Sequence, residues 1–248
     1  MPVARLFAAA LVVIAVTSGF VLPAHAESGT GYDISYPQCG KTLPSSAAFV
    51  VVGVNGGSPF KDNPCLGEQF RWVQRVKADY AFYVNSSNPG PAHPQWGKKG
   101  YHPCGGAAAE WNCAYNFGRA SAKHAYAYAA KVTGAAAGHR FWVDVETANT
   151  WSKTDRTMNI AVIQGMVDYL TLRSGRIAGI YAAPNHWKSI ADNARATGIP
   201  NWFAAAKDRA GAKAKCAAGT SLTGGPLLMV QYVVKNLDYN YWCGRSVA

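Results

Sequence analysis

The segment Trp142-Val143-Asp144-Val145-Glu146 puts two carboxylates two positions apart inside an apolar, β-branched run. A strand alternates its side chains with period two. Trp142, Asp144 and Glu146 would then share one face, and Phe141, Val143 and Val145 the other. Two acids on the face of a buried-looking strand are costly to keep without a purpose. Acids are also scarce, with 13 Asp plus Glu against 24 Lys plus Arg. Two strand rises set such a pair roughly 6–7 Å apart, which suits general acid and base work on a glycosidic bond. The alternative is an exposed edge strand with a polar face. Trp142 and the apolar neighbours speak against it.

Other chemistries have less support. There is no G-x-S-x-G elbow and no H-E-x-x-H pair. His93, His102, His124, His139 and His186 are scattered without ligand spacing, and no C-x-x-C is present, so no metal and no cofactor are expected. A D-x-D-x-E signature would need an acid where Trp142 stands.

The elements that must position the pair alternate between β-type and helical runs. Strands are expected at Gly31–Ser35, Phe49–Val54, Tyr80–Asn85, Arg140–Glu146, Ile177–Ala182, Asn201–Ala205 and Leu227–Val233. Helices are expected at Leu66–Lys77, at Ala114–Val132, from a cap at Asp155 to about Leu172, and around Asn185–Ala196. The stretch before Leu227 does not read as helical. Near-continuous apolar strands alternating with helices argue for a parallel sheet covered on both faces. The expected fold is α/β, an irregular TIM-like β/α barrel of one domain; an open doubly wound sheet is the runner-up. No G-x-G-x-x-G follows the first strand, so a dinucleotide fold has no support.

The N-terminus reads as a signal peptide over residues 1–26. Arg5 precedes an apolar stretch, and Ala24-His25-Ala26 is a small-x-small cleavage site. Residues 27–248 would be the mature domain, secreted and not inserted in a membrane. The six cysteines then read as three disulfides. Fifteen pairings are possible. The order of elements suggests Cys39–Cys65, Cys104–Cys113 and Cys216–Cys243, the second pinning a long Pro/Gly-rich loop. The net charge is +11, one unit less without Arg5. Such a chain is drawn to anionic polymers, an anionic cell wall among them. The basic residues form no aromatic-interleaved stripe, so nucleic acid is not the expected partner. Nothing points to oligomerisation, and a monomer is expected.

In a β/α barrel the active site lies at the C-terminal ends of the strands. Asp144 and Glu146 end the fourth strand, Asp33 lies in the first, and Asp238 follows the last. First and last strands are neighbours in a closed barrel, so Asp33 and Asp238 would approach each other. Tyr83, Tyr181, Trp151 and Trp187 could stack on sugar rings, although core packing is the commoner fate of an aromatic. Asn55 and Gln231 end strands where they could bond a ligand or serve the barrel itself. Asn85-Ser86-Ser87 fits an N-glycosylation pattern that is common by chance.

Taken in order, these segments resemble the family 25 glycoside hydrolases, the lysozyme-type muramidases. Gly31-Tyr32-Asp33-Ile34-Ser35 with Gln38 resembles their opening strand, and Phe49–Gly53 with Gly56-Gly57 their second. Val143-Asp144-Val145-Glu146 resembles their D-x-E strand. Gly179-Ile180-Tyr181 with Trp187, and Asn201-Trp202-Phe203-Ala204, resemble the fifth and sixth. Gln231-Tyr232 followed by Leu237-Asp238 resembles the closing strand and last acid. The resemblance implies hydrolysis of β-1,4 bonds in peptidoglycan or a related N-acetylated polysaccharide. It implies Glu146 as proton donor and Asp144 as the assisting carboxylate, with Asp33 and Asp238 completing the acidic site. The third strand departs from the pattern, ending Tyr83-Val84-Asn85 where the family usually has a Tyr–His–Phe type ending, and the loop after it is longer. A catalytically inactive glycan-binding barrel is therefore the alternative expectation.

Overall fold

Phe49-Val50-Val51-Val52 shows how the sequence builds this molecule. Valine is stiff at χ1 and suits a pleated surface with both faces covered. In the computed structural model, which describes residues 30–98, 100–105 and 110–244, the run is strand β2 (Phe49–Gly53), buried along its whole length. Strands β1 (Gly31–Ile34), β3 (Asp79–Asn85), β4 (Phe141–Asp144), β5 (Gly179–Ala182), β6 (Asn201–Ala206), β7 (Leu227–Val234) and β8 (Leu237–Trp242) join it in one closed barrel, in chain order. Helices α1 (Leu66–Val76), α2 (Trp111–Thr133), α3 (Arg156–Ser174), α4 (Pro184–Ala191) and α5 (Arg209–Ala218) connect the strands. The expected leader, residues 1–26, lies outside the described residues. No helix among the described residues is long and apolar enough to cross a membrane.

The alternation read from sequence holds. Phe141, Val143 and Val145 pack outward with Val50, Val52, Phe82 and Ile180 against apolar residues of α1, α2 and α3. Trp142 points into the barrel with Phe49, Val51, Trp202 and Met229. Large interior rings need room, and glycines at paired positions provide it. Gly31 is paired with Phe49, Gly53 with Tyr83 and Gly179 with Trp142. A Cβ on any of the three would overlap the opposing side chain.

Four expectations change. The barrel has eight strands, not seven, because Leu237–Trp242 is a strand and Asp238 lies within it. It follows a two-residue turn in which Lys235 (φ 50°) and Asn236 (φ 62°) are both left-handed, the geometry that lets two residues join twisted antiparallel strands. Alternation was masked here because the inward residues Asp238 and Asn240 are polar. The segment Arg209–Ala218 before β7 is helical; Asp208 caps it by accepting from the Gly211 N–H (2.7 Å), and only Ala212 and Cys216 are buried, so it carries little apolar periodicity. Helix α4 stops at Ala191 rather than Ala196, since Asp192 and Asn193 turn left-handed. Strand β4 ends at Asp144, which leaves Glu146 just beyond it.

Other boundaries stand. Asp155 caps α3, its side chain accepting from the N–H groups of Thr157 and Met158. The three expected cysteine pairs are joined, with Cα separations of 5.7, 5.1 and 5.2 Å. The Cys216–Cys243 bridge ties α5 to the end of β8.

Outside the barrel, α2 and α3 touch backbone to backbone. A Cβ on Gly118 would overlap the Val162 carbonyl, and one on Gly165 the Tyr115 carbonyl. Overpacking of such a contact costs roughly 1–3 kcal/mol. Gly118→Ala should therefore lower the urea midpoint by a corresponding amount at unchanged m. Gly198→Ala, where a Cβ meets open space, should leave it nearly unchanged.

Candidate active site

Strands β1 to β7 run parallel, so their C-terminal ends gather at one mouth of the barrel. Strand β8 is antiparallel to both β7 and β1, so its first residues reach the same mouth. Asp238, second in β8, consequently sits in register with Asp33, third in β1. The interior changes character along the strands. Trp142, Phe49, Val51 and Met229 fill the deeper part, and the next inward residues after Trp142 and Met229 are Asp144 and Gln231. The resulting cavity of about 320 Å³ is lined by the four carboxyls of Asp33, Asp144, Glu146 and Asp238, and by Tyr83, Tyr181, Trp202 and Gln231. Closure of the barrel thus brings together all four acids read from the sequence.

Asp33 is 6 % exposed and held by two amides. Asn240 Nδ2 donates to its Oδ2 at 2.7 Å, and Gln231 Nε2 lies 3.0 and 3.2 Å from its two oxygens. The amide orientations are fixed from behind. Trp202 Nε1, which can only donate, gives its hydrogen to Asn240 Oδ1 (2.8 Å), so Asn240 must turn its NH2 toward Asp33. Tyr181 donates its hydroxyl hydrogen to Gln231 Oε1 (2.9 Å). Burial and then Asp238 push Asp33 up to about 7, Gln231 and Asn240 pull it down, and Glu146 adds a smaller rise.

Asp144, 3 % exposed, accepts at Oδ2 from Asn85 Nδ2, while its Oδ1 is buried without a hydrogen-bond partner among the described residues. Burial pushes it well above the ordinary carboxylate range, and Glu146 and Asp33 push the same way. Glu146 is half-buried and also raised. Burial is the main cause, His186 opposes it, and Asp238 adds to it. Burial raises Asp238 too. Tyr83 and Tyr181 are held as neutral phenols, chiefly by burial and secondarily by the carboxylates around them.

Four neighbouring acids in a poorly solvated space cannot all ionise near neutrality. They share protons and titrate as a group. The cavity can therefore hold a protonated carboxyl beside an ionised one, as acid-assisted displacement requires.

The remaining expected contacts divide. Tyr83, Tyr181 and Gln231 line the cavity. Asn55 does not. Its amide donates to the Asn85 carbonyl and accepts from the Asn85 N–H, both at 2.9 Å, which extends the β2–β3 ladder past the end of β2. Trp151 also lies off the cavity and donates to the Glu146 carbonyl at 2.8 Å, bracing the loop that carries the acid. Trp187 is core, bonded to the Ala194 carbonyl. The glycosylation reading of Asn85 fails because its amide is buried against Asp144.

Sequence reasoning missed Asn85, Asn240 and Trp202. A signal existed for Asn240, which shares a face with Asp238 at period two. Trp202 falls on the inward face of β6, but its bond to Asn240 depends on closure.

No family model and no curated protein sequence matches the chain. Solved structures do. The chain is similar to a muramidase from Trichobolus zukalii (TM-score 0.59, 16 % identity, 87 % of this chain and 94 % of that one). It is similar to a family GH25 lysozyme from Aspergillus fumigatus (0.58, 14 %, 86 % and 93 %). It is also similar to the modular autolysin LytC from Streptococcus pneumoniae, solved in complex with a synthetic peptidoglycan ligand (0.54, 13 %, 86 % and 46 %). At these identities the shared property is the barrel fold.

The site carries a pH signature. Asp33 binds its proton more tightly in the folded protein than in the unfolded chain, about 7 against 3.8. Its contribution to stability is therefore complete below the unfolded value and is lost as pH rises through the folded one. Tm should fall between about pH 4 and about pH 7, and Asp33→Asn should flatten that slope. An unchanged slope in thermal melts would show that Asp33 titrates like an exposed carboxyl.

Proposed function

We propose that this chain is a secreted glycoside hydrolase of the muramidase type, cleaving β-1,4 bonds of peptidoglycan or a related N-acetylated polysaccharide. The observation that carries the reading is the convergence of Asp33, Asp144, Glu146 and Asp238 on one cavity at the barrel mouth. The fold is shared with structures described as a muramidase and a lysozyme, and with an autolysin solved with a synthetic peptidoglycan ligand. Export agrees with the leader pattern, the three disulfides and the net charge of +11, which favours an anionic polymer as partner.

Glu146 is the general acid. It is the least buried member of the Asp144–Glu146 pair and is raised toward the range where it can carry a proton to the leaving oxygen. Asp144 is the assisting carboxylate, lining the cavity with its Oδ2 held by Asn85. In its ionised form it would stabilise the cationic character that develops at the sugar carbon. Asp33, gripped by two amides, is a fixed acceptor. With Asp238 it keeps the local field negative, which favours that cation and holds the proton on Glu146. Tyr83, Tyr181 and Gln231 form the substrate-facing wall.

The test is release of reducing ends from purified peptidoglycan by the oxidised mature protein. Removing a general acid typically costs about 10²–10⁴ in rate. Glu146→Gln should lose at least about a hundredfold while retaining its Tm. Full activity in folded Glu146→Gln would remove Glu146 from the mechanism. Saturable glycan binding by both proteins with no reducing ends from either would identify a binding barrel instead.

A further inference from the structure

Asp144 can serve only if its carboxylate faces the cavity in one orientation. Side chains from several elements surround it: Asp33 from β1, Tyr83 from β3, Tyr181 from β5, and Glu146 just past β4. All of these are acids or neutral phenols. Among the described residues its carboxylate has one hydrogen-bond donor, Asn85 Nδ2 on Oδ2. Asn85 and Asp144 are paired in register at the ends of β3 and β4, so the amide comes from the neighbouring strand at the same level. Asn85 does not line the cavity and so works through Asp144.

Asn85 is in turn fastened. The β2 strand ends at Gly53, yet Asn55 carries the pairing one step further with its side chain. Its Oδ1 accepts from the Asn85 N–H and its Nδ2 donates to the Asn85 carbonyl, each at 2.9 Å. An amide side chain here imitates a peptide group of the missing ladder. Both asparagines are buried, Asn55 at 2 % and Asn85 at 9 % exposure. The Asp144 backbone is anchored separately, its carbonyl accepting from Ser86 Oγ (2.6 Å) and the Ser86 N–H (3.0 Å).

We propose that Asn85 is a positioning residue for Asp144, oriented by Asn55, and that this two-amide relay fixes the orientation of the Asp144 carboxylate at the cavity wall. The proposal rests on the glycosidase reading above for its catalytic consequence. A donor on Oδ2 stabilises the ionised carboxylate without bringing a positive charge that would disturb Glu146. A lysine or arginine in the same place would stabilise it further but would pull the neighbouring acid down with it.

The experiment follows the Asp144 carboxyl carbon by NMR across pH, with kcat and KM for a soluble glycan oligomer, in wild type, Asn85→Leu, Asn55→Leu and Ser86→Ala. Leucine keeps the branching at Cγ and removes the donor. In Asn85→Leu the Asp144 midpoint and the acid limb of kcat should both move up by about one pH unit or more, and kcat should fall roughly tenfold or more with KM within about twofold. Asn55→Leu should move both in the same direction by less, and it decides the matter if Asn85→Leu does not fold. Ser86→Ala loosens the same strand end without touching the carboxylate, and it should lower Tm while leaving the midpoint in place. An unmoved Asp144 midpoint in a folded Asn85→Leu protein overturns the proposal. A wild type that cleaves no glycan overturns the glycosidase reading alone, because the carbon titration still reports on Asn85.

Discussion

Everything at the mouth of this barrel answers to one constraint: four carboxyl groups share a small cavity with little water to solvate them. Burial alone raises each of them, and mutual repulsion adds to the rise for Asp33, Asp144 and Glu146. A protein can relieve such a cluster with cations, by letting protons neutralise it, or with neutral hydrogen-bond donors. Among the described residues no lysine or arginine lines the cavity, although the chain has 24 of them. The relief comes from amides. Gln231 and Asn240 serve Asp33, and Asn85 serves Asp144.

The constraint also explains the reversed last strand. A barrel closed by a parallel strand would bring a C-terminal strand end to the mouth. Here a two-residue left-handed turn at Lys235-Asn236 sends β8 back antiparallel, and its beginning arrives there instead. Asp238 and Asn240 thereby face Asp33 and Gln231 across the seam where the barrel closes. One seam supplies an acid that raises Asp33 and an amide that holds it. The Cys216–Cys243 bridge fastens the far end of the same strand to α5.

How much of this was legible in the sequence depended on whether the informative pattern was apolar. The alternation of Phe141 to Glu146 showed which residues face inward, because the valines and Trp142 made the period visible. β2 was legible for the same reason. The β8 segment has the same period two, but its inward members are Asp238 and Asn240, so it reads as a polar tail. α5 escaped notice because its few apolar contacts come from alanine and a cysteine. The convergence of Asp33 and Asp238 followed from closure and needed no knowledge of β8. The supporting amides did not follow, since Asn85 and Asn240 act through bonds whose partners lie 59 and 207 residues away in the chain. Asn55 shows the limit from the other side. A polar residue at a strand end looks like a ligand contact, and only its partner reveals that it completes a ladder.

The choice of amides over cations has a consequence for chemistry. A guanidinium against Asp33 or Asp144 would favour the ionised form strongly and would act on Glu146 through the same poorly screened space. The acid would then lose its proton below neutral pH. A neutral amide donates to one oxygen, fixes its direction and leaves the net charge of the cluster unchanged. The cluster remains negative enough to hold a shared proton and to favour a developing cation, and Asn85 holds the Asp144 carboxylate in one orientation. The sole charge opposing the rise of Glu146 is His186, on the first turn of α4.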